Sequence, residues 1–230
     1  GIQSLNYHKT IQTGEGGLAL TDDVKLAEHM QLVRNHGEAV VGKTGREDIV
    51  NVLGWNYRLT ELQAAIGIPQ LDKLERFNKI RQRLAGKLTE GLRSFDFITL
   101  PAVERDCTHV YYLYPFRFHE ERAGIPRSLF AEAMAAEGVA ILEGYPEPVY
   151  LQPMYQEKIA YGTMGCPFSC PYYGQSRDYP KGLCPNAERI WEQEILTTDI
   201  CKYPNGDPEV TEFIEAVDKV ATSFDALRRR

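Results

Sequence analysis

A lysine amine, a serine hydroxyl and a glycine-rich turn stand close together in "SLNYHKTIQTGEGGLALTDD" (residues 4–23). Ser4 comes first, Lys9 follows five residues later, and Gly14-Glu15-Gly16-Gly17 follows that. A lysine amine attacks a carbonyl carbon only when neutral, so a site that lowers its pKa turns such a residue into a nucleophile. Taken singly the parts are bland: most lysines are solvated charges, and glycine clusters occur in many turns. The cluster lacks the Gly-Lys-Ser/Thr ending of a phosphate loop, so nucleoside triphosphate binding is not supported. Cys166 and Cys170, with Cys184 farther on, form a second group. Structural zinc and a disulfide are both conceivable there, but zinc sites favour tighter pairs. We read the segment as a loop packed by its own Tyr, Phe and Pro side chains.

These groups must be carried by elements. "GLAL" after the glycines reads as a short buried strand. Asp22 or Asp23 can cap a helix whose inner face holds Val24, Ala27, Met30 and Val33, and Gly37 ends it. Residues 38–58 read as a loop. Thr60 and Gln63 form a capping box. Behind them a long stripe runs through Leu71, Leu74, Phe77, Ile80, Leu84, Leu88 and Leu92. Pro69 is expected to kink or divide that helix near Ile68, having no N–H to donate. Strands are expected at 97–100, 110–118 and 139–142, with a helix over 126–138. Pro115 within the second strand marks an edge or a bulge. Residues 144–182 fit no period and form a long loop. Asp207 is expected to cap a last helix, Pro208 to stand at its first position, and Val210, Phe213, Ile214, Val217, Val220 and Phe224 to line its buried face.

Composition sets the outer limits. Of 230 residues 43% are hydrophobic and 25% charged, which suits a chain with a core. The net charge of -6 argues against a nucleic-acid or anionic-membrane surface. No apolar run approaches the ~20 residues of a membrane span, and no signal peptide is visible. Five cysteines, an odd number, read as reduced thiols in a cytoplasmic protein. The terminal Arg-Arg-Arg reads as a solvated end.

The whole string around Lys9 is more specific than its parts. It resembles the Schiff-base segment of the DegT/DnrJ/EryC1/StrS aminotransferases, pyridoxal-phosphate (PLP) enzymes acting mostly on nucleotide-linked keto-sugars. "LVRNHGE" (32–38) and "GWNYRLTELQAAIGIPQLDKLERFNKIR" (54–81) resemble the blocks that follow in that family. "EGYPEPVYLQPMY" (143–155) and "CPNAERIWEQEILTTDICKYP" (184–204) resemble its weaker late motifs. The resemblance implies an α/β fold of PLP-dependent transferase type I, aspartate aminotransferase-like. Residues 1–75 would be the C-terminal part of the PLP-binding large domain, and 76–230 a small domain carrying the 144–182 loop.

The same resemblance assigns roles. Lys9 would hold PLP covalently and later move a proton between the substrate Cα and the cofactor C4′ atom. Ser4 would hydrogen-bond the cofactor phosphate. Asn56 would reach across a homodimer interface to the phosphate in the partner's site, since an amide can donate to phosphate oxygen without charge; outside this block it would read as a turn asparagine. Arg58 either binds the substrate pyrophosphate or pairs with Glu61. Tyr57 is a candidate for substrate contact, though a tyrosine there more often packs. Amino donor and keto acceptor are small molecules: glutamate or glutamine, and a keto-sugar nucleotide or cyclitol ketone, in polysaccharide or secondary-metabolite biosynthesis. Related sugar dehydratases carry histidine in place of the lysine. Here the histidine is His8, one residue early, so amino transfer is favoured over dehydration. The family places about as much chain again ahead of this lysine, including an aspartate for the pyridine nitrogen and a ring-stacking aromatic. The sequence is therefore expected to be a C-terminal portion with weak or absent cofactor retention, and its alternative reading is a cofactor-free interaction or dimerisation module.

Overall fold

The computed structural model describes residues 1–38 and 52–229, so most of the loop expected at 38–58 lies outside the described residues. The chain packs as two compact units, Gly1–Asn78 and Lys79–Arg230.

The first unit opens with a two-stranded antiparallel ribbon. Strand β1 (Ile2–Ser4) pairs with β2 (Gly17–Ala19), with Ser4 opposite Gly17. β1 was not expected from the sequence, because its partner β2 lies across a loop of twelve residues. Helix α1 (Val24–Arg34) starts where its cap dictates: Asp23 Oδ1 accepts from the N–H groups of Lys25 (2.9 Å) and Leu26 (3.1 Å). Its fully buried residue is Leu32; Ala27, Met30 and Val33 are half-buried and Val24 is exposed. The expected face was thus rotated by one position.

Helix α2 (Glu61–Leu92) begins at the Thr60–Gln63 box, with Gln63 N donating to Thr60 Oγ1 (3.2 Å) and Thr60 N donating to Gln63 Oε1 (3.1 Å). It runs through Pro69 without division. Of the two outcomes expected at Pro69, a kink or a division, the division is not made. Pro69 sits only nine residues into the helix, and the turns on both sides carry enough hydrogen bonds to absorb one missing donor. The lower part of the expected stripe is buried at Leu84, Leu88 and Leu92, while Leu71 stays exposed.

The second unit is a four-stranded antiparallel sheet covered on one face by helices. The order is β3 (Ile98–Thr99), β4 (Tyr114–Phe118), β6 (Ile195–Thr198), β5 (Leu142–Glu143). The strands expected at 110–118 and 139–142 are both shorter than their apolar runs. β4 is an inner strand, yet β3 pairs only with Arg117 and Phe118, so Pro115 has a strand partner on one side alone, at Thr197. The missing N–H is tolerated for that reason.

Short α3 (Glu120–Ala123) leads into α4 (Arg127–Ala136). The 144–182 loop contains only brief turns, among them α5 (Pro153–Gln156). After it, α6 (Pro185–Arg189) passes into one π-helical turn, Ile190–Glu194. Helix α7 (Asp207–Thr222) is followed by the turn α8 (Phe224–Leu227). Gly206, not Asp207, caps α7: Gly206 N donates to Glu209 Oε2 at 2.7 Å, and Asp207 is helical and pairs with Arg83 at 2.6 Å.

The core joins Tyr114, Phe116 and Phe118 of β4 to Phe130 and Met134 of α4 and Val210, Phe213 and Val217 of α7. Phe97 meets Phe118, Phe130 and Phe224 edge-on at ring-centroid distances of 5.8, 6.0 and 5.0 Å. Each such buried ring contributes roughly 1.5–3 kcal/mol by burial. Arg81 is buried beside this core and donates to the Tyr111 and Tyr112 carbonyls (2.9 and 3.0 Å). Burial lowers its pKa from the ordinary arginine value. Burial also raises the Tyr114 hydroxyl to about 12, while its contact with Thr89 Oγ1 (2.7 Å) satisfies it.

Candidate active site

The loop between β1 and β2 holds Lys9, and its ends are tied. Leu5 N donates to the Gly16 carbonyl (2.9 Å) and Thr13 N to the Leu5 carbonyl (3.0 Å). Leu5 and Thr13 are both buried. Within this frame Asn6 Nδ2 donates to both carboxylate oxygens of Glu15 (2.8 and 2.9 Å), closing the loop across its mouth. Lys9 N donates to the Asn6 carbonyl (2.9 Å), so the lysine stands on a tight turn directly after the clasp. Its side chain is half-buried. Ser4 Oγ accepts from Asn6 N at 3.3 Å, which leaves the hydroxyl proton available to another acceptor.

Gly16 is required where the loop returns. Its φ is +154°, and a Cβ there would stand 2.8 Å from Thr13 Oγ1 and 3.1 Å from Leu59 Cδ1. Gln63 fixes the same corner: its Oε1 serves the helix cap, and its Nε2 donates to the Glu15 carbonyl at 2.8 Å. One side chain therefore starts α2 and anchors the lysine loop. Sequence reasoning found Gln63 only as a cap and missed the Asn6–Glu15 clasp. The signal for the clasp was an amide and a carboxylate flanking the lysine at the two loop ends.

Asn56, Tyr57 and Arg58 lie on a second segment, threaded against the end of α1. Trp55 N donates to the Val33 carbonyl (2.8 Å), His36 N to Trp55 (3.1 Å) and Tyr57 N to Arg34 (3.0 Å). Asn56 bridges Asn35 in the backbone. The approach is so close at Gly54 that a Cβ there would fall 2.2 Å from Gly37 N. Arg58 Nη1 donates to Asn35 Oδ1 at 2.5 Å, a partner that neither sequence reading named. Tyr57 is 65% exposed and stacks on Trp55, with centroids 5.8 Å apart and planes 8° from parallel. Ser4 and Lys9 thus share one fixed loop, and Asn56, Tyr57 and Arg58 share another.

The same unit carries an open apolar groove of about 720 Å³, lined by Ile2, Leu18, Leu20, Met30, Val33 and Leu59 among others. In the second unit the 144–182 loop is packed by its own side chains, as expected. Tyr155, Phe168 and Tyr179 form a ring cluster at 5.5–6.0 Å, and Gln156 Nε2 donates to the carbonyls of Tyr150 (2.6 Å) and Tyr179 (2.7 Å). All five cysteines are free thiols. Among the described residues no group of three or more His, Cys, Asp or Glu is arranged to hold a metal ion, and no helix is long and apolar enough to cross a membrane.

Comparison with known proteins places these segments in context. Residues 1–198 match the DegT/DnrJ/EryC1/StrS aminotransferase family. An uncharacterised protein of Methanocaldococcus jannaschii, MJ1066, is 30% identical over 223 residues, covering 93% of this chain and 52% of its own length. The spore coat polysaccharide biosynthesis protein SpsC of Bacillus subtilis is 29% identical over 224 residues, covering 94% and 52%. Among solved structures, S. venezuelae DesV in complex with a ketimine intermediate superposes with a TM-score of 0.73 at 28% identity, over 96% of this chain and 51% of that one. The chain therefore spans about half the length of the relatives it matches, and its fold is that of the PLP-dependent type I transferases.

Proposed function

The chain belongs to the DegT/DnrJ/EryC1/StrS aminotransferase family, and from that premise we propose that its residues serve a PLP-dependent aminotransferase. Residues 1–75 contribute to the PLP-binding large domain and 76–230 form the small domain. The transfer runs from glutamate or glutamine to a keto-sugar nucleotide or a related cyclitol ketone. The name of SpsC, a polysaccharide biosynthesis protein, supports the polysaccharide setting over others. The observation that supports the reading is the fixed loop around Lys9, closed by Asn6–Glu15 and braced by Gln63, within a segment that matches the family.

The residues present fit the cofactor. Ser4 keeps a proton to give to a phosphate oxygen, because its Oγ already accepts from Asn6 N. Lys9 offers an amine on a turn whose backbone is fixed on both sides. When bound, PLP supplies the electron sink that lets a Cα proton leave. Lys9 would be the residue that holds the cofactor, and its amine would serve as the base and acid that moves a proton at the donor Cα. Asn56, exposed at the end of its segment, reaches a partner subunit's phosphate, which makes the working unit a homodimer with shared sites. Arg58 and Tyr57 contact the acceptor, with Asn35 orienting the guanidinium.

A second reading, a cofactor-free dimerisation module, is favoured by the open apolar groove of the first unit. Single-turnover assay separates the two. Protein loaded with PLP and given L-glutamate is expected to release 2-oxoglutarate in proportion to its bound cofactor, and Lys9→Ala to release none. No keto acid from either L-glutamate or L-glutamine, in protein shown to carry PLP on Lys9, would overturn the enzymatic reading and leave the module.

A further inference from the structure

Cys166 and Cys170 are not used by the reading above, yet they are arranged unlike the other thiols. The two lie one turn apart. Phe168 N and Ser169 N both donate to the Gly165 carbonyl (2.8 and 2.9 Å), and the Cys166 carbonyl accepts from Tyr161 N (3.0 Å), so the turn is tied at its start. Behind it the Cys170 carbonyl accepts from Tyr173 N (3.1 Å), and Arg177 N donates to the Phe168 carbonyl (3.1 Å). Cys170 is 4% exposed, in a loop whose Phe168 is also buried, whereas Cys166 is half-buried. The Cys166 thiol donates to the Cys170 sulfur, which also faces the backbone N–H groups of Tyr172 and Tyr173. Hydrogen bonding from Cys166 in the first place, and from those N–H groups, holds the Cys170 thiol below its ordinary pKa despite desolvation. The same bond to Cys170, with burial, raises Cys166. Cradles of this kind stabilise a thiolate. Cys107 and Cys184 are exposed singly, and Cys201 is buried with its thiol raised to about 12 by burial.

We propose that Cys166 and Cys170 are a thiol-modification site that closes reversibly into an intrachain disulfide by exchange with a small-molecule disulfide. Cys166, the accessible member, passes its proton to the Cys170 sulfur and attacks one sulfur of the external disulfide as the thiolate. A bond forms between Cys166 Sγ and that sulfur, the external S–S bond breaks, and the departing thiolate takes the proton back from Cys170. Cys170, as thiolate, then attacks Cys166 Sγ, and the second external thiolate leaves and is protonated. Two protein thiols are oxidised and one external disulfide is reduced to two thiols, so electrons and protons balance. The site lies within a loop that is ordered by its own side chains, so closure locks the turn it already makes.

The test uses the full chain and oxidised glutathione. After exposure, remaining thiols are alkylated and the protein is mapped by mass spectrometry without reduction. The expected product is an internally linked peptide joining Cys166 to Cys170, reversed by dithiothreitol, while Cys107 and Cys184 carry glutathione. In Cys170→Ser the glutathione adduct on Cys166 is expected to accumulate several-fold over the unmodified chain, since nothing resolves it. In Cys166→Ser, Cys170 is expected to stay alkylatable only after denaturation. A persistent Cys166 adduct in the unmodified chain, or both thiols remaining reduced while Cys107 and Cys184 react, would overturn the proposal. Neither outcome depends on PLP or on amino transfer.

Discussion

The two units bury their apolar residues to very different degrees. In Lys79–Arg230 the side chains of Leu84, Phe130, Phe213 and Leu196 are fully enclosed. Among the described residues of Gly1–Asn78 the large apolar side chains that are buried are Leu5 and Leu32, while Ile2 is 88% exposed and Leu62 79%. The residues proposed for amino transfer all lie in the less enclosed unit. Within these residues, order at the lysine rests on little apolar burial beyond Leu5. It comes from hydrogen bonds: Asn6 to Glu15 and Gln63 to the Glu15 carbonyl. Apolar cover limits one unit's stability, and polar clasps set the other's geometry.

That contrast can be broken in graded steps. Phe213→Ala, in the enclosed unit, should cost about 3–5 kcal/mol, read as a fall in urea midpoint; a loss below 1 kcal/mol would mean the core is less tight than its burial implies. Gly16→Ala comes next. Its new methyl meets Thr13 Oγ1 at 2.8 Å in a backbone region that side chains avoid, so about 1–3 kcal/mol of strain is expected, together with a several-fold loss of PLP capture. Gln63→Glu should be milder, because it keeps the cap acceptor and replaces the Nε2 donor with an oxygen that the Glu15 carbonyl repels. Roughly a twofold to fivefold slower cofactor capture with a nearly unchanged urea midpoint is expected, and an unchanged capture rate would show that the brace is idle.

The smallest effect concerns acid. Burial pushes the Glu194 carboxyl up, but Arg117 (2.5 Å) and Arg189 outweigh it and hold the group below its ordinary value of 4.5. A depressed carboxyl contributes stability that is present above the unfolded pKa and is lost as the pH falls through the folded one. Glu194→Gln should therefore flatten the loss of stability below about pH 4.5, measured by denaturant unfolding across that range.

Local chemistry was readable in the sequence wherever one residue satisfies a neighbour a few positions away. The Asp23 cap, the Thr60–Gln63 box and the buried face of α7 belong to this class. Misreadings came where a distant segment decides. β1 exists only because Gly17–Ala19 pairs with it, and β5 shrinks to two residues because it meets β6 only there. At α7 the carboxylate read as the cap is drawn to Arg83, 124 residues away, and Gly206 caps in its place. The site divides the same way: Ser4 and Lys9 were legible from their string, whereas the Asn35–Arg58 contact joins residues 23 apart in the sequence.

Reductive trapping tests the central claim most directly. The protein is mixed with PLP, treated with borohydride, digested and mapped by mass spectrometry. A pyridoxyl group on Lys9 in preference to every other lysine, absent in Lys9→Ala, is the expected result. Labelling spread evenly over surface lysines, with Lys9 no more reactive than the rest, would contradict the account.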